Sequence, residues 1–86
     1  MRSAIYHYEK EKQNMERGTL RFNPDTERWG VLSGGEWICD GLHCGDHLSA
    51  LVGGQWVRTR IEMGEQGWYL VGTPYCGALD HVQVEI

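Results

Sequence analysis

The sequence predicts a small all-β domain, and three observations support this fold class. The 86 residues include 12 glycines and 2 prolines, a composition typical of short strands joined by tight turns. Two alternating segments flank the pair Gly53-Gly54, which is the pattern of an antiparallel hairpin with a two-residue turn. No segment has a convincing helical pattern. Because so many strands must curl or close to hide their edges, we expect a small barrel of about five to seven short antiparallel strands.

The hairpin over residues 45–62 also predicts which side chains are buried. Successive side chains of a strand point to opposite faces, so alternate residues share a face. The predicted core face consists of Leu48, Ala50, Val52, Val57, Thr59 and Ile61. The predicted outer face of the second strand consists of Trp56, Arg58, Arg60 and Glu62.

The other strands follow from the same alternation and from the turn residues between them. Pro24 presets φ for the first turn, and Gly34-Gly35 forms the second. The predicted strands cover residues 18–23, 28–32, 36–39 and 68–71, with a closing strand that holds Val82, Val84 and Ile86 on one face. The four tryptophans, expected mainly in the core, are Trp29, Trp37, Trp56 and Trp68. Of these, Trp56 is the best candidate for an exposed aromatic, because it alternates away from Val57 and Ile61.

The domain organisation is predicted to be simple. Residues 1–16 are polar and lack an apolar stripe, so we expect an N-terminal arm or short helix, followed by one barrel domain over residues 17–86. The first residues lack the apolar run of a secretory signal, and no stretch approaches the ~20 apolar residues that cross a bilayer. We therefore expect a cytoplasmic protein, outside membranes, that is a monomer or a weak homodimer.

The charge distribution favours a protein partner over nucleic acid. The formal net charge is −4 at pH 7, and residues 29–86 hold two basic and seven acidic side chains. A field of this sign repels phosphate backbones and attracts basic surfaces. The acidic side chains that could form one patch are Asp40, Asp46, Glu62, Glu65, Asp80 and Glu85. Arg58 and Arg60 point the same way, and either grip a phosphate or carboxylate or pair with neighbours such as Glu36 or Glu62.

The cysteines are the candidates for metal or catalytic chemistry. Thiolate and imidazole ligands suit tetrahedral zinc, and the candidate set is Cys39, Cys44, His47 and Cys76. The spacing argues against it, because zinc knuckles use two close cysteine pairs and Cys76 has no close partner. Cys44 with His47, or Cys76 with His81, would be a nucleophile and base without an evident orienting group or oxyanion site. We therefore expect no metal, no cofactor and no catalytic residue.

Four segments resemble a family of small bacterial domains of unknown function, found in Gram-positive bacteria and their mobile elements. They are Gly18-Thr19-Leu20, Gly41-Leu42-His43-Cys44-Gly45, Trp56-Val57-Arg58-Thr59-Arg60-Ile61-Glu62 and Trp68-Tyr69-Leu70-Val71-Gly72. The pattern Trp-x-x-x-Arg-Ile-Glu is the most specific part, and the resemblance covers roughly residues 15–86. It implies an SH3-like barrel, no assigned activity, and a genomic setting of conjugative elements or prophages.

Together these observations predict a non-enzymatic module that binds a macromolecule, and three forms of it stay open. In the first, the acidic surface occupies the basic groove of a host defence nuclease, as anti-CRISPR proteins do, with Asp40, Asp46, Glu62 and Glu65 as contacts and Trp56 as anchor. In the second, an SH3-like adaptor binds a peptide or a partner protein. In the third, which the net charge disfavours, a barrel binds nucleic acid through Trp56, Arg58 and Arg60.

Overall fold

The protein folds into one strongly curved sheet of seven antiparallel strands. The computed structural model describes residues 16–86, so the predicted arm lies almost wholly outside the described residues. The strands are β1 (Arg17–Asn23), β2 (Arg28–Ser33), β3 (Glu36–Cys39), β4 (His47–Val52), β5 (Gln55–Gly64), β6 (Gly67–Leu70) and β7 (Gln83–Glu85). Their order across the sheet is β3-β2-β1-β7-β4-β5-β6. The prediction of a small all-β, barrel-like domain is confirmed, with the strand number at the upper end of the expected range.

Two hairpins turn on glycine pairs, as the sequence predicts. Gly34 and Gly35 have φ of 59° and 82°, and Gly53 and Gly54 have φ of 57° and 83°. Positive φ at both central residues is the geometry of a primed turn, whose twist matches that of the flanking strands. In the second hairpin, Val52 therefore lies directly opposite Gln55, and this sets the register of the whole β4–β5 pair.

The last strand occupies the centre of the sheet. Strand β7 pairs with β1 on one side and β4 on the other, so it joins the β1–β3 meander to the β4–β6 meander. Val84 lies opposite Gly18 on β1 and Ala50 on β4. Gly18 has no room for a side chain, because a Cβ there would lie 2.6 Å from the backbone oxygen of Leu32. The fold is thus closed at its middle by residues that are distant in sequence.

The core lies on the inner face of the curved sheet. Its buried apolar residues are Leu20, Trp29, Val31, Leu42, Leu48, Ala50, Ile61, Leu70, Leu79, Val82 and Val84. The core face predicted for the central hairpin is confirmed, since Leu48, Ala50, Thr59 and Ile61 are buried and Val52 and Val57 are half-buried near the turn.

The tryptophans divide between the core and the surface. Trp29 is buried, and Trp68 is half-buried and packs against the core. Trp56 is 37% exposed, as predicted, and Trp37, whose burial the sequence leaves open, is 39% exposed. The reason is local: Trp37 pairs with Leu32, whose side chain alternates away from the core face of β2.

Across residues 16–86, no helix is long or apolar enough to span a membrane.

Candidate binding face on the outer side of the sheet

The convex side of the sheet carries the candidate site. We call it the outer face: the side chains on β1–β5 and β7 that alternate away from the core. On β1 these alternate with the buried Leu20, and on β5 they alternate with the buried Thr59 and Ile61. Strand pairing then places residues from six strands side by side on this face.

The outer face collects the positive charge of the described residues. Within residues 16–86 there is no lysine, and the arginines are Arg17, Arg21, Arg28, Arg58 and Arg60. Each alternates with a core residue of its strand, so all lie on the outer face. Most acidic residues lie outside the strands, namely Glu16, Asp25, Glu27, Asp40, Asp46, Glu65 and Asp80. The net charge alone does not show that the described arginines lie in strands while most carboxylates lie outside them.

Arg17 and Trp56 form a cation–π pair across the middle of the face. The guanidinium carbon of Arg17 lies 5.0 Å from the centroid of the Trp56 ring. Arg17 Nε also donates to Oε2 of Glu85, a carboxylate on β7 whose side chain is only 10% exposed. The anchored Arg17 side chain is 67% exposed, so its guanidinium lies over the indole and stays accessible to solvent.

Arg58 and Arg60 extend this site along β5. Arg60 Nε donates to Glu62 Oε2 at 2.7 Å, so the expected pairing with Glu62 occurs along the strand. Arg58 is exposed and has no ion-pair partner among residues 16–86. A small hollow of about 160 Å³ is lined by His47, Arg58, Thr59, Arg60 and Val71. An anionic group of phosphate size fits this setting.

Glu62 is an ion-pair partner rather than a free acidic contact. The hydrogen bond from Arg60 lowers the pKa of Glu62 below its ordinary value of 4.5, and a hydrogen bond from the Cys44 thiol lowers the pKa further. Cys44 Sγ lies 3.2 Å from Glu62 Oε1. The carboxylate of Glu62 is thus held by its own neighbours and offers little to a basic partner.

A second aromatic site lies on the other side of the face, and sequence reasoning missed it. A Cβ on Gly30 would lie 2.9 Å from Cζ3 of Trp37 and 2.5 Å from the backbone oxygen of Cys39, so Trp37 lies directly over Gly30. Arg21 is the register partner of Gly30 on β1, which puts Arg21 beside this tryptophan. The available signal was the glycine itself, because a glycine inside a strand often marks a close approach.

The predicted acidic patch is spread out. Asp40 follows the edge strand β3, whereas Glu65 lies in the turn between β5 and β6 at the other edge of the sheet. Asp46 accepts a hydrogen bond from the backbone N–H of His43 at 2.8 Å and so caps its own loop. With Glu62 bound to Arg60, the structure does not bring these four carboxylates together as one surface.

The three cysteines of the candidate zinc site also contact different parts of the fold. Cys39 pairs with Val31 on β2, Cys44 bonds to Glu62, and Cys76 forms a bridge with Tyr69. In the part of the chain that the structure describes, no three His, Cys, Asp or Glu side chains are placed to hold a metal ion.

Comparison with known proteins gives the family. Residues 18–86 match the family described as Domain of unknown function (DUF5348). The chain belongs to this family. The predicted resemblance to a small domain of unknown function is therefore confirmed at that level. The matched residues of this DUF5348 domain include Trp37, Trp56 and Arg58, and begin one residue after Arg17.

A solved structure shows a related fold. The DUF5348 domain is similar to a protein from Ruminococcus gnavus known from its crystal structure, with 36% sequence identity and a TM-score of 0.69. The similarity covers 83% of this chain and 100% of that chain. The chain matches no curated protein.

Proposed function

We propose that this DUF5348 domain is a non-enzymatic binding module that holds an anionic macromolecule on its outer face. The observation that carries the proposal is the placement of all described arginines on that face, beside the exposed rings of Trp37 and Trp56. Tryptophan and arginine are the residue types that most often dominate binding energy at interfaces.

The overall negative charge does not contradict this proposal. At physiological salt, charges separated by more than about 8 Å are largely screened, so a ligand on the outer face responds mainly to the side chains beneath it. There the groups are arginines, and only Glu62 and Glu85 are acidic residues within β1, β5 or β7. Both carboxylates are already paired, with Arg60 and Arg17.

The cysteines are the remaining candidates for catalysis, and the proposal assigns them no catalytic role. Catalytic cysteines need a nearby base that takes the thiol proton. Cys44 donates to the carboxylate of Glu62, and within residues 16–86 no hydrogen bond joins Cys44 to His47 or Cys76 to His81. Since Cys39, Cys44 and Cys76 are all free thiols, we place the module in the reducing cytoplasm.

A second candidate is the inhibitor of a host defence nuclease that acts through an acidic surface. The observation that favours it is the acidic excess, since the described residues hold ten acidic and five basic side chains. In this form the turns carry the contacts, among them Asp40 and Glu65, two of the carboxylates that have no ion pair within the described residues.

One capture experiment separates the two candidates. Tagged protein is incubated with a host lysate, with and without nuclease treatment, and the bound material is compared between three variants. Arg58→Glu should abolish capture if the outer face binds, whereas Gln55→Glu, an exposed change on the same strand but off that face, should not. Loss of capture only in Asp40→Lys/Glu65→Lys would favour the acidic inhibitor. Capture that all three variants retain would rule out both surfaces.

A further inference from the structure

We infer that the occupant of the outer face is a single-stranded nucleic acid that crosses the strands from Trp56 to Trp37. This inference rests on the proposed function and names its ligand class. It requires two stacking platforms, arginines that contact the phosphates, and a surface that a flexible strand follows better than a rigid duplex does. The described residues supply each of these.

The two tryptophans stand at the ends of one row of side chains. Strand register links Trp37 to Leu32, Leu32 to Thr19, Thr19 to Gln83, and Leu51 to Trp56. Because Val84 pairs with Ala50, the next residues, Gln83 and Leu51, are neighbours too. The row thus crosses six adjacent strands, which corresponds to about 24 Å along the sheet at a spacing of about 4.8 Å per strand. This length suits a strand of several nucleotides.

Both ends of the row combine an indole with an arginine. At one end, the guanidinium of Arg17 lies over Trp56 and shows its open side to solvent, so a base can stack on the guanidinium plane. At the other end, Trp37 is 39% exposed and lies over Gly30, with Arg21 adjacent. Base stacking tolerates any sequence, because every base has a π face.

The phosphate contacts come from arginines without ion-pair partners among residues 16–86. Arg58, beside the hollow that Arg60 also lines, serves the Trp56 end, and Arg21 serves the Trp37 end. Between the two ends, the row contains the half-buried Leu32 and Leu51 and the exposed Gln83. A backbone that follows this row meets positive charge at both ends, and Glu85, the carboxylate beside the row on β7, is already paired with Arg17.

Two features favour a single strand over the alternatives. Within residues 16–86 no helix covers the buried face of the sheet, so the sheet must bend round its own core, whereas duplex DNA resists bending over short lengths, with a persistence length of about 150 base pairs. Stacking on Trp37 or Arg17 also requires unpaired bases. A protein partner would use the same arginines but would not need two platforms at the ends of one row.

The test uses the full chain and fluorescein-labelled 12-nucleotide oligo(dT) and oligo(rU), with a mixed-sequence duplex of equal length for comparison. We expect anisotropy to rise with a single strand more than with the duplex, and the intrinsic tryptophan fluorescence to be quenched. Because Arg21 and Arg58 are the two phosphate contacts, a plot of the logarithm of affinity against the logarithm of salt concentration should have a slope of about −1.4. Arg58→Gln or Arg21→Gln should each reduce this slope by about 0.7.

The aromatic platforms are tested separately. Trp37→Leu should weaken binding by about ten-fold or more, since one stacked base is lost. Met63→Leu, at an exposed apolar residue outside the outer face, is the matched control and should bind like the parent chain. Thermal unfolding of each variant checks that the fold is retained.

Two outcomes would overturn the inference. If no single strand binds at 50 mM salt while Arg58→Glu still abolishes capture of a nuclease-resistant protein, the occupant is a protein and the proposed function stands without this inference. If oligonucleotides bind but Trp37→Leu and Arg21→Gln change nothing, or the duplex binds as tightly, the path across the sheet is wrong. Failure of both the oligonucleotide binding and the Arg58-dependent capture would remove the proposed function as well.

Discussion

Gly30 shows how one residue without a side chain positions part of the candidate site. Its missing Cβ leaves space for the Trp37 ring and for the backbone oxygen of Cys39. We expect Gly30→Ala to destabilise the domain by about 1–3 kcal/mol, because the backbone oxygen cannot easily move away. Gly64→Ala is the control: the nearest atom to its Cβ would be a ring carbon of Tyr69, at 3.1 Å, which can shift. Urea denaturation measures both, and equal losses would contradict this account.

Glu62 allows a prediction of how the stability of the domain depends on pH. Its pKa lies below 4.5 mainly because Arg60 donates a hydrogen bond to the carboxylate, and secondly because Cys44 does. A lowered pKa in the folded state means that the stabilisation is present above pH 4.5 and is lost as the pH falls through the folded-state value. We expect Arg60→Gln to raise the pKa of Glu62 toward its ordinary value, and Cys44→Ala to raise it less.

NMR titration of the side-chain carboxyl carbon measures the pKa of Glu62 directly. The side-chain carboxyl shift of Glu62 is followed from pH 2 to pH 7 in the parent chain and in the two variants. A larger rise in pKa for Cys44→Ala than for Arg60→Gln would show that the thiol, not the guanidinium, dominates.

At the scale of elements, the β4–β5 hairpin depends on its turn. A Cβ on Gly53 or Gly54 would meet nothing within 4 Å, so substitution there tests backbone conformation alone. Gly54→Ala should cost about 1–2 kcal/mol, because φ is 83° and left-handed backbone is unfavourable for alanine. Gly53→Asn should be nearly neutral, because asparagine is favoured at the first position of such a turn. Thermal or urea unfolding measures both, and a neutral Gly54→Ala would mean that the turn relaxes to another type.

The hairpin register also explains why the outer face exists. With Val52 opposite Gln55, Arg58 lies opposite Ser49 and Arg60 opposite His47. A shift of β5 by one residue against β4 would turn Arg58 and Arg60 toward the core face that Leu48 and Ala50 occupy. The two-residue turn and the Arg58–Arg60 part of the outer face are therefore set by the same element.

At the scale of the whole molecule, β7 joins the two meanders, and we expect the domain to unfold cooperatively for this reason. Val84 is fully buried and contacts both meanders through Gly18 and Ala50. We expect Val84→Ala to reduce stability by about 2 kcal/mol and to lower the hydrogen-exchange protection of β1–β3 and β4–β6 by the same amount. Gln83→Ala, exposed on the same strand, should leave both unchanged. Loss of protection in one meander alone would mean that the two halves unfold separately.

Local patterns in the sequence were enough to predict much of the fold. The glycine pairs have the positive φ that their turns require, and alternation around Leu48, Ala50 and Ile61 identified the core face. Strand bounds came close for the same reason, since burial of one face imposes a period of two residues. The exposure of Trp56 followed from this alternation too.

Only part of the candidate site could be predicted from local patterns in the sequence. Arg58, Arg60 and Trp56 lie on one strand, so their shared face follows from their spacing. Arg17 meets Trp56 only because β7 inserts between β1 and β4, and Trp37 lies outward because Gly30 admits it. The placement of the charges was not accessible either, because a sum over residues does not show that the described arginines lie in strands while most carboxylates lie outside them.

The sequence by itself therefore determined what short-range physics controls: the turns, the strand alternation, the core face of the hairpin and the all-β class. The tertiary structure alone decided the strand order, the central place of β7, and the meeting of Arg17 with Trp56 and of Arg21 with the Trp37 site. The physical reason is that pairing between strands distant in sequence is selected by the fit of the complete core, which no local pattern contains.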